Sequence, residues 1–378
     1  MSKILNDSTT RARWLNWPVL AVFSLVLAAC GGPSNEQKML TQTAQQIIVP
    51  LYSALQTEAG GLASEAEAFC EAPDAESLAR IQQQWRLTMQ AWAGVQPIDF
   101  GPLEDGNLRW KLHFWPDRRD ITRKKVEALI AGTGELTSQG LGEQSVSVQG
   151  LAAVEYLLFD KQGGQLARYQ QDDSRPCDLL QAITRRIEQV SGMLVEQWAG
   201  NGQQPGFADV FSKPGPDNER YPDDRAALAA LFGSLVVGTE VVKRNKLGIA
   251  IDNGKGADKI KPYRLEAWRS QYSLALMKAS MTSLEHLYRG GDGYGLADYL
   301  AEQPQVEAGL LSDIDRGFAA VNKQFAKLSG PLFEQLGEPH SYDELAELYR
   351  QLGALEKSLS QLPERLQISL GFNSNDGD

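Results

Sequence analysis

Leu345, Leu348, Leu352, Leu355, Leu359 and Leu362 recur at steps of 3, 4, 3, 4 and 3 residues. That spacing places all six on one stripe of an α-helix, where 3.6 residues complete a turn. In a strand they would be scattered over both faces. Upstream, Val306, Leu310, Ile314, Phe318, Val321 and Phe325 keep the same period. Two such stripes must be covered by other helices, so the C-terminal part reads as a bundle. A leucine-zipper dimer is the rival structure; with only about two and a half heptads, a bundle helix is the better reading. Ser341, ahead of Tyr342-Asp343-Glu344, has the chemistry of an N-cap followed by acidic first-turn residues.

The helical pattern continues upstream. No stretch shows sustained alternation with β-branched enrichment, so an all-α, two-domain helical bundle is expected. Helices are expected over 37–69, 75–95, 117–132, 147–160, 176–199, 222–246, 262–289, 304–329 and 342–367. The strongest break runs from Gly200 to Pro222, rich in Gly, Pro, Asn and Asp. It divides an N-terminal helical domain (37–205) from a C-terminal bundle (222–367), with a polar tail at 368–378.

The N-terminus reads as an address. Lys3, Arg11 and Arg13 precede an apolar stretch from Val19 to Leu27, too short to span a bilayer. Leu27-Ala28-Ala29-Cys30 then resembles a bacterial lipobox, which makes 1–29 a signal peptide, Cys30 the lipidated residue and 30–36 a tether. Several acyl chains give a stable anchor, since each buried methylene contributes about 0.8 kcal/mol. Gly31, not Asp, follows the cysteine, and by resemblance to sorted lipoproteins this favours the outer membrane, facing the periplasm. The remaining pair, Cys70 and Cys177, reads as a disulfide in an exported chain; a catalytic thiol is the alternative, though no Cys-His signature surrounds either residue.

Charge limits the partners. The 48 acidic against 37 basic residues give a formal charge of −11, and no run of five Lys/Arg exists, so nucleic-acid binding is not expected. The membrane is reached through the lipid anchor.

Most catalytic signatures are absent. No H-E-x-x-H or G-x-S-x-G occurs. Gly254-Lys255-Gly256 lacks the spacing and hydroxyl of a P-loop, and Asp252-Asn253-Gly254 fails as a calcium loop. The three histidines, His113, His286 and His340, share no metal-ligand spacing.

One segment stands out: Gly150-Leu151-Ala152-Ala153-Val154-Glu155-Tyr156-Leu157-Leu158. It resembles the signature helix of the imelysin family (peptidase M75), G-x-H-x-x-E followed by an aromatic residue and leucines, with Ala152 at the histidine position. Other pieces fall in the family's order: Trp85 and Trp92, Phe100-Gly101-Pro102, Phe114-Trp115-Pro116-Asp117, and Glu266-Ala267-Trp268-Arg269-Ser270 with Ser273. The resemblance implies an all-helical protein with a site near an interdomain groove, and ligand-binding residues at Gly150, Glu155, Trp115, Asp117, Glu266, Arg269 and Ser270. It further implies a link to bacterial iron uptake, with iron or another divalent metal as a cofactor to consider and iron-uptake or envelope proteins as partners.

The chemistry of the substituted motif points away from catalysis. A His/Glu pair three residues apart shares a helix face and can hold one metal, but Ala152 supplies no ligand. A non-catalytic binding lipoprotein is therefore expected; an M75-type metallopeptidase, rebuilt from Glu155, Glu266 and a distant histidine, and a structural envelope lipoprotein are the alternatives. Glu155 sits among apolar residues and needs a partner if buried, with Arg269, Arg109 and Lys111 as candidates. Gly150 is expected to permit a close helix approach or turn, and Asp117 to cap the next helix.

Overall fold

A computed structural model describes residues 32–159, 164–256, 260–336 and 339–370, the side chains of 339 and 340 excepted. Cys30 and the signal segment lie outside the described residues, as does the tail from 371. Among the described residues there is no strand, only helices, turns and one isolated bridge between Gly200 and Pro205.

Ser34 opens the first helix. Its hydroxyl accepts the Gln37 N–H at 3.1 Å, and its own N–H donates back to Gln37 Oε1. Helix Asn35–Thr43 runs through a π-helical turn, Ala44–Ile48, into α1 (Val49–Glu71), so the expected helix at 37–69 forms with a π-bulge inside it. A second capping box, Asp74 with Ser77, starts α2 (Ala75–Val95). α3 (Ile121–Ala131), α4 (Leu151–Leu158) and α5 (Arg175–Ala199) complete the first half. α1, α2 and α5 pack together, α4 lies on α2 and α5, and α3 lies on α4. The disulfide forms: Cys70 at the end of α1 is bonded to Cys177 at the start of α5. It ties together the ends of two core helices 107 residues apart in sequence.

The second half holds α6 (Asp224–Glu240), continued as a π-helix over Val241–Gly248, then α7 (Ser273–Arg289), α8 (Ala308–Lys327) and α9 (Pro339–Leu359). α9 packs on α8 and α6, while α7 packs on α6 and, reaching the first half, on α2. The helix over 224–248 is long and apolar enough to cross a membrane, but more than half of its apolar window is buried within the protein, as in a core helix. The predicted leucine stripe is fully buried between these helices. The Gly200–Pro222 stretch carries a short helix, Phe207–Ser212, that packs on Asn35–Thr43 and α5. The buried apolar side chains form one continuous cluster from Met39 to Ile368.

The clearest departures from expectation are in four helices. α9 already begins at Pro339, so Ser341 is inside it and does not cap it; it also ends at Leu359, and Leu362 sits on a separate short helix, Gln361–Arg365. The stretch at 147–160 is a 3₁₀ turn, Val146–Val148, followed by α4. α3 starts at Ile121, after Asp120 takes a left-handed conformation (φ 53°). The expected helix at 262–289 is only a 3₁₀ turn at Pro262–Arg264 and an irregular stretch before α7 begins at Ser273. Two positive-φ residues, Ala267 (54°) and Gln271 (57°), break it. Each costs about 1–2 kcal/mol in a non-glycine residue, so tertiary contacts must hold the turn.

Gly150 is required by a close approach. A Cβ there would lie 2.3 Å from the Leu112 carbonyl oxygen and 2.4 Å from that of Lys111. Both clashing atoms are backbone, so relief needs a shift of helix Leu108–Leu112 against α4. Gly150→Ala is expected to lower unfolding free energy by about 2 kcal/mol. A urea melt indistinguishable from the parent's would refute this reading of the contact.

Candidate functional site

The irregular turn at 265–271 meets α4 directly. Glu155 is buried, and its Oε1 accepts both the Ser270 N–H and the Ser270 hydroxyl, each at 2.9 Å. Burial pushes the Glu155 carboxyl above the ordinary carboxylate range, and the Ser270 N–H and the Arg269 charge offset this only in part. Ser270 Oγ also contacts the Ala267 carbonyl, and Ser273 Oγ donates to the Glu266 carbonyl, so side chains satisfy the turn's unpaired backbone. Opening the helix at Ala267 thus delivers an N–H to a buried acid.

Of the three candidate partners, neither Arg109 nor Lys111 pairs with Glu155. Arg109 is occupied by Glu104 (2.6 Å), Asp99 (3.3 Å) and the Gln96 and Ile98 carbonyls. Arg269 lowers the Glu155 pKa through its charge and its backbone N–H, while its side chain is engaged elsewhere. Its Nη2 donates to Asp120 Oδ1 at 3.1 Å, and its guanidinium lies 4.3 Å above the Trp268 ring and 5.4 Å from that of Tyr156.

Glu155 and Ala152 sit in a cleft of about 1090 Å³, walled by the 113–120 loop, α3, α4, residues 164–176 and the 263–269 turn. Trp115, Asp117 and Arg269 also line it. Asp117 performs its expected capping role from four residues ahead, accepting the Ile121 and Thr122 N–H groups at 2.8 and 2.7 Å. Although burial acts to raise its pKa, these bonds hold the carboxyl below the usual range. Tyr156 donates its hydroxyl to Glu127 Oε1 at 2.5 Å, and Arg168 reaches the same oxygen at 2.8 Å.

Glu266 faces elsewhere. It is 2% exposed, beside an equally buried Lys246 (2%) and His113 (5%). The Lys246 ammonium lies 2.7 Å from Glu266 Oε2 and donates to Gln96 Oε1 at 2.6 Å and Ser280 Oγ at 3.3 Å. Gln96 Nε2 donates to Glu266 Oε1 at 3.4 Å, and His113 Nδ1 lies at the same distance from that oxygen. Burial raises the Glu266 carboxyl's pKa, but Lys246, then His113, pull it below the ordinary value. Burial dominates at His113, pushing the imidazole down to about 4, so it is neutral at pH 7. Lys246 and Ser280 line a second, smaller cavity of about 370 Å³, which shares Trp115 and Pro116 with the main cleft.

Of the expected site residues, Trp115, Asp117, Glu155 and Arg269 therefore meet in one cleft and Ser270 supports it from behind. Glu266 belongs to the adjoining buried ion pair, and Gly150 acts through packing. Lys246 and Gln96 were not anticipated. Lys246 closes the polar run Lys243-Arg244-Asn245-Lys246, and nothing in that sequence marks it for burial.

The profile of the family described as Imelysin, Peptidase M75, matches residues 48–359. The chain belongs to the imelysin family. Its fold is that of an imelysin-like protein from Psychrobacter arcticus 273-4, with a TM-score of 0.73 at 23% identity over 90% of this chain and 99% of that one. A protein from Parabacteroides distasonis ATCC 8503, named as an iron-regulated protein A precursor, superimposes with a TM-score of 0.70 at 15% identity, covering 89% of this chain and 97% of the other. At these identities the likeness shows the fold. A comparison with curated proteins finds no match.

The described residues of this imelysin-family chain do not fit a catalytic metal. No group of three His, Cys, Asp or Glu side chains able to hold an ion exists among the described residues. Ala152 stands at the motif histidine, Glu155 gives one oxygen to Ser270, and Glu266 already faces an ammonium that would repel a cation.

Proposed function

We propose that this protein is a non-catalytic binding member of the imelysin family that serves bacterial iron uptake. It is anchored through lipidated Cys30 to the outer membrane and faces the periplasm. The observation that carries the reading is the state of the two motif acids: Glu155 is held by Ser270 and Glu266 by Lys246, next to a large open cleft. Binding needs such a cleft, whereas peptide hydrolysis needs an activated water and a charge stabiliser. The lipobox-like segment and the iron-regulated name of a structural neighbour support the setting.

The test has two arms. Protein incubated with Fe(II), Fe(III) or Zn(II) and desalted is expected to keep no stoichiometric metal, with Glu155→Ala indistinguishable from the parent. One metal per chain, lost in Glu155→Ala together with chelator-sensitive proteolysis, would restore the peptidase reading. Protein exposed to an extract of iron-starved cells, desalted and denatured, is expected to release a bound small molecule or a captured envelope partner. Release of neither would sink the binding reading.

A further inference from the structure

The acids and bases lining the cleft are unequally satisfied. Asp117 is spent on capping α3, Asp120 on Arg123 and Arg269, and Glu127 on Arg168 and Tyr156. Asp173 accepts the Arg175 N–H, and Glu155 is held by Ser270. Every described carboxylate that lines the cleft therefore has a partner.

Six guanidinium groups line the same space, and three of them, Arg118, Arg119 and Arg264, make no ion pair with any described residue. Arg118 and Arg119 are exposed and Arg264 is half-buried, which puts them at the rim of the cleft. Deeper in, the surface is aromatic: Trp115, Tyr156 and Trp268, the last two under the Arg269 guanidinium. At the floor Glu155 is 5% exposed and gives its Oε1 to Ser270. A strongly acidic chain has thus gathered unpaired cations around one deep aromatic cleft.

We propose that this cleft takes a planar organic anion with two or more carboxylate or phosphate groups. The charged groups bind Arg118, Arg119 and Arg264 at the rim, and the flat body lies along Trp115, Tyr156 and Trp268. Guanidinium forks match carboxylate and phosphate geometry, and ring faces accept a planar body of any sequence of atoms. The assignment rests on the binding role proposed above and gives its ligand a chemical class.

The test uses full-length protein in a non-ionic detergent and the fluorescent trisulfonate pyranine as probe. Saturable binding is expected, weakening as salt rises. It should be about tenfold weaker in Arg118→Gln/Arg119→Gln/Arg264→Gln, from the loss of charge-assisted bonds. These side chains make no internal ion pair, so the variant keeps its helical circular dichroism, and Arg316→Gln, outside the cleft, binds as the parent does. Benzene-1,3,5-tricarboxylate and tripolyphosphate then compete, and whichever displaces pyranine at lower concentration identifies carboxylate or phosphate as the preferred group. Displacement by neither, or unchanged affinity in the triple variant, overturns the proposal. Binding of neutral 1-pyrenemethanol without pyranine would overturn the anion assignment while leaving a binding cleft. Binding of neither probe would count against the cleft itself.

Discussion

Lys246→Met is expected to lower unfolding free energy by about 3–5 kcal/mol, the range for breaking a buried ion pair by removing one partner. Lys246 and Glu266 are each 2% exposed, with their charges 2.7 Å apart. Removing the ammonium strands a carboxylate whose only other polar side-chain contacts among the described residues are Gln96 Nε2 and His113 Nδ1, both at 3.4 Å. The carboxyl can escape by keeping a proton, so the deficit should deepen by about 1.4 kcal/mol per pH unit from its ordinary value of 4.5 up to its raised folded pKa, and level off above that. Glu266→Leu alone should cost a comparable amount by stranding Lys246. The double variant, Lys246→Met with Glu266→Leu, should recover most of the loss, because no unpaired charge remains. Urea unfolding of the four proteins, followed by tryptophan fluorescence, closes the cycle. A single variant within about 0.5 kcal/mol of the parent would mean that the pair is hydrated and not sealed in the core.

The periodic parts of this fold were legible in the sequence because their cause is local. Leu345 to Leu359 and Leu310 to Phe325 mark helix faces by spacing alone, and each face is buried where the spacing put it. The disulfide followed from an even cysteine count in a chain that reads as exported. What escaped was decided by tertiary contact. Ala267 and Gln271 are ordinary helix formers, and nothing local marks them for a left-handed conformation. They adopt it because the turn brings the Ser270 N–H to Glu155, a contact across 115 residues.

The candidate site divides the same way. Trp115, Asp117, Glu155 and Arg269 were expected as ligand-binding residues, and they line one cleft. Their mutual pairing was not legible. Arg109, Arg269 and Lys111 were equally plausible partners for Glu155 by charge, yet a neutral serine took the place. Arg109 is drawn off by Glu104 and Asp99, close to it in sequence. Lys246 is hidden for a further reason. It lies in the π-helical stretch Val241–Gly248, whose wider turn changes which residues face the core, so a count by 3.6 misplaces it.

His113 should make the protein acid-labile well above the range of ordinary carboxylates. Its imidazole is 5% exposed and held neutral, with a folded pKa of about 4 against 6.5 for the free side chain. Between those values the unfolded chain binds a proton that the folded chain refuses, so unfolding takes up a proton and stability falls as pH falls. The contribution is whole above about pH 6.5 and is lost by about pH 4, amounting to roughly 3 kcal/mol at about 1.4 kcal/mol per unit. Glu155 works in the opposite sense: its folded pKa is raised, so its protonation favours the folded state as pH falls. Glu266 has a lowered folded pKa, and the stability it supplies is lost only below its ordinary value of 4.5. Neither can imitate the slope expected from His113. His113→Gln keeps a donor for Glu266 but cannot take the proton, so its stability should be nearly independent of this group across the window. Urea midpoints of parent and variant at half-unit steps from pH 7 to pH 4.5 give the difference directly. Parallel curves would show that the imidazole titrates in the folded protein as it does in the unfolded chain, and would place water beside it.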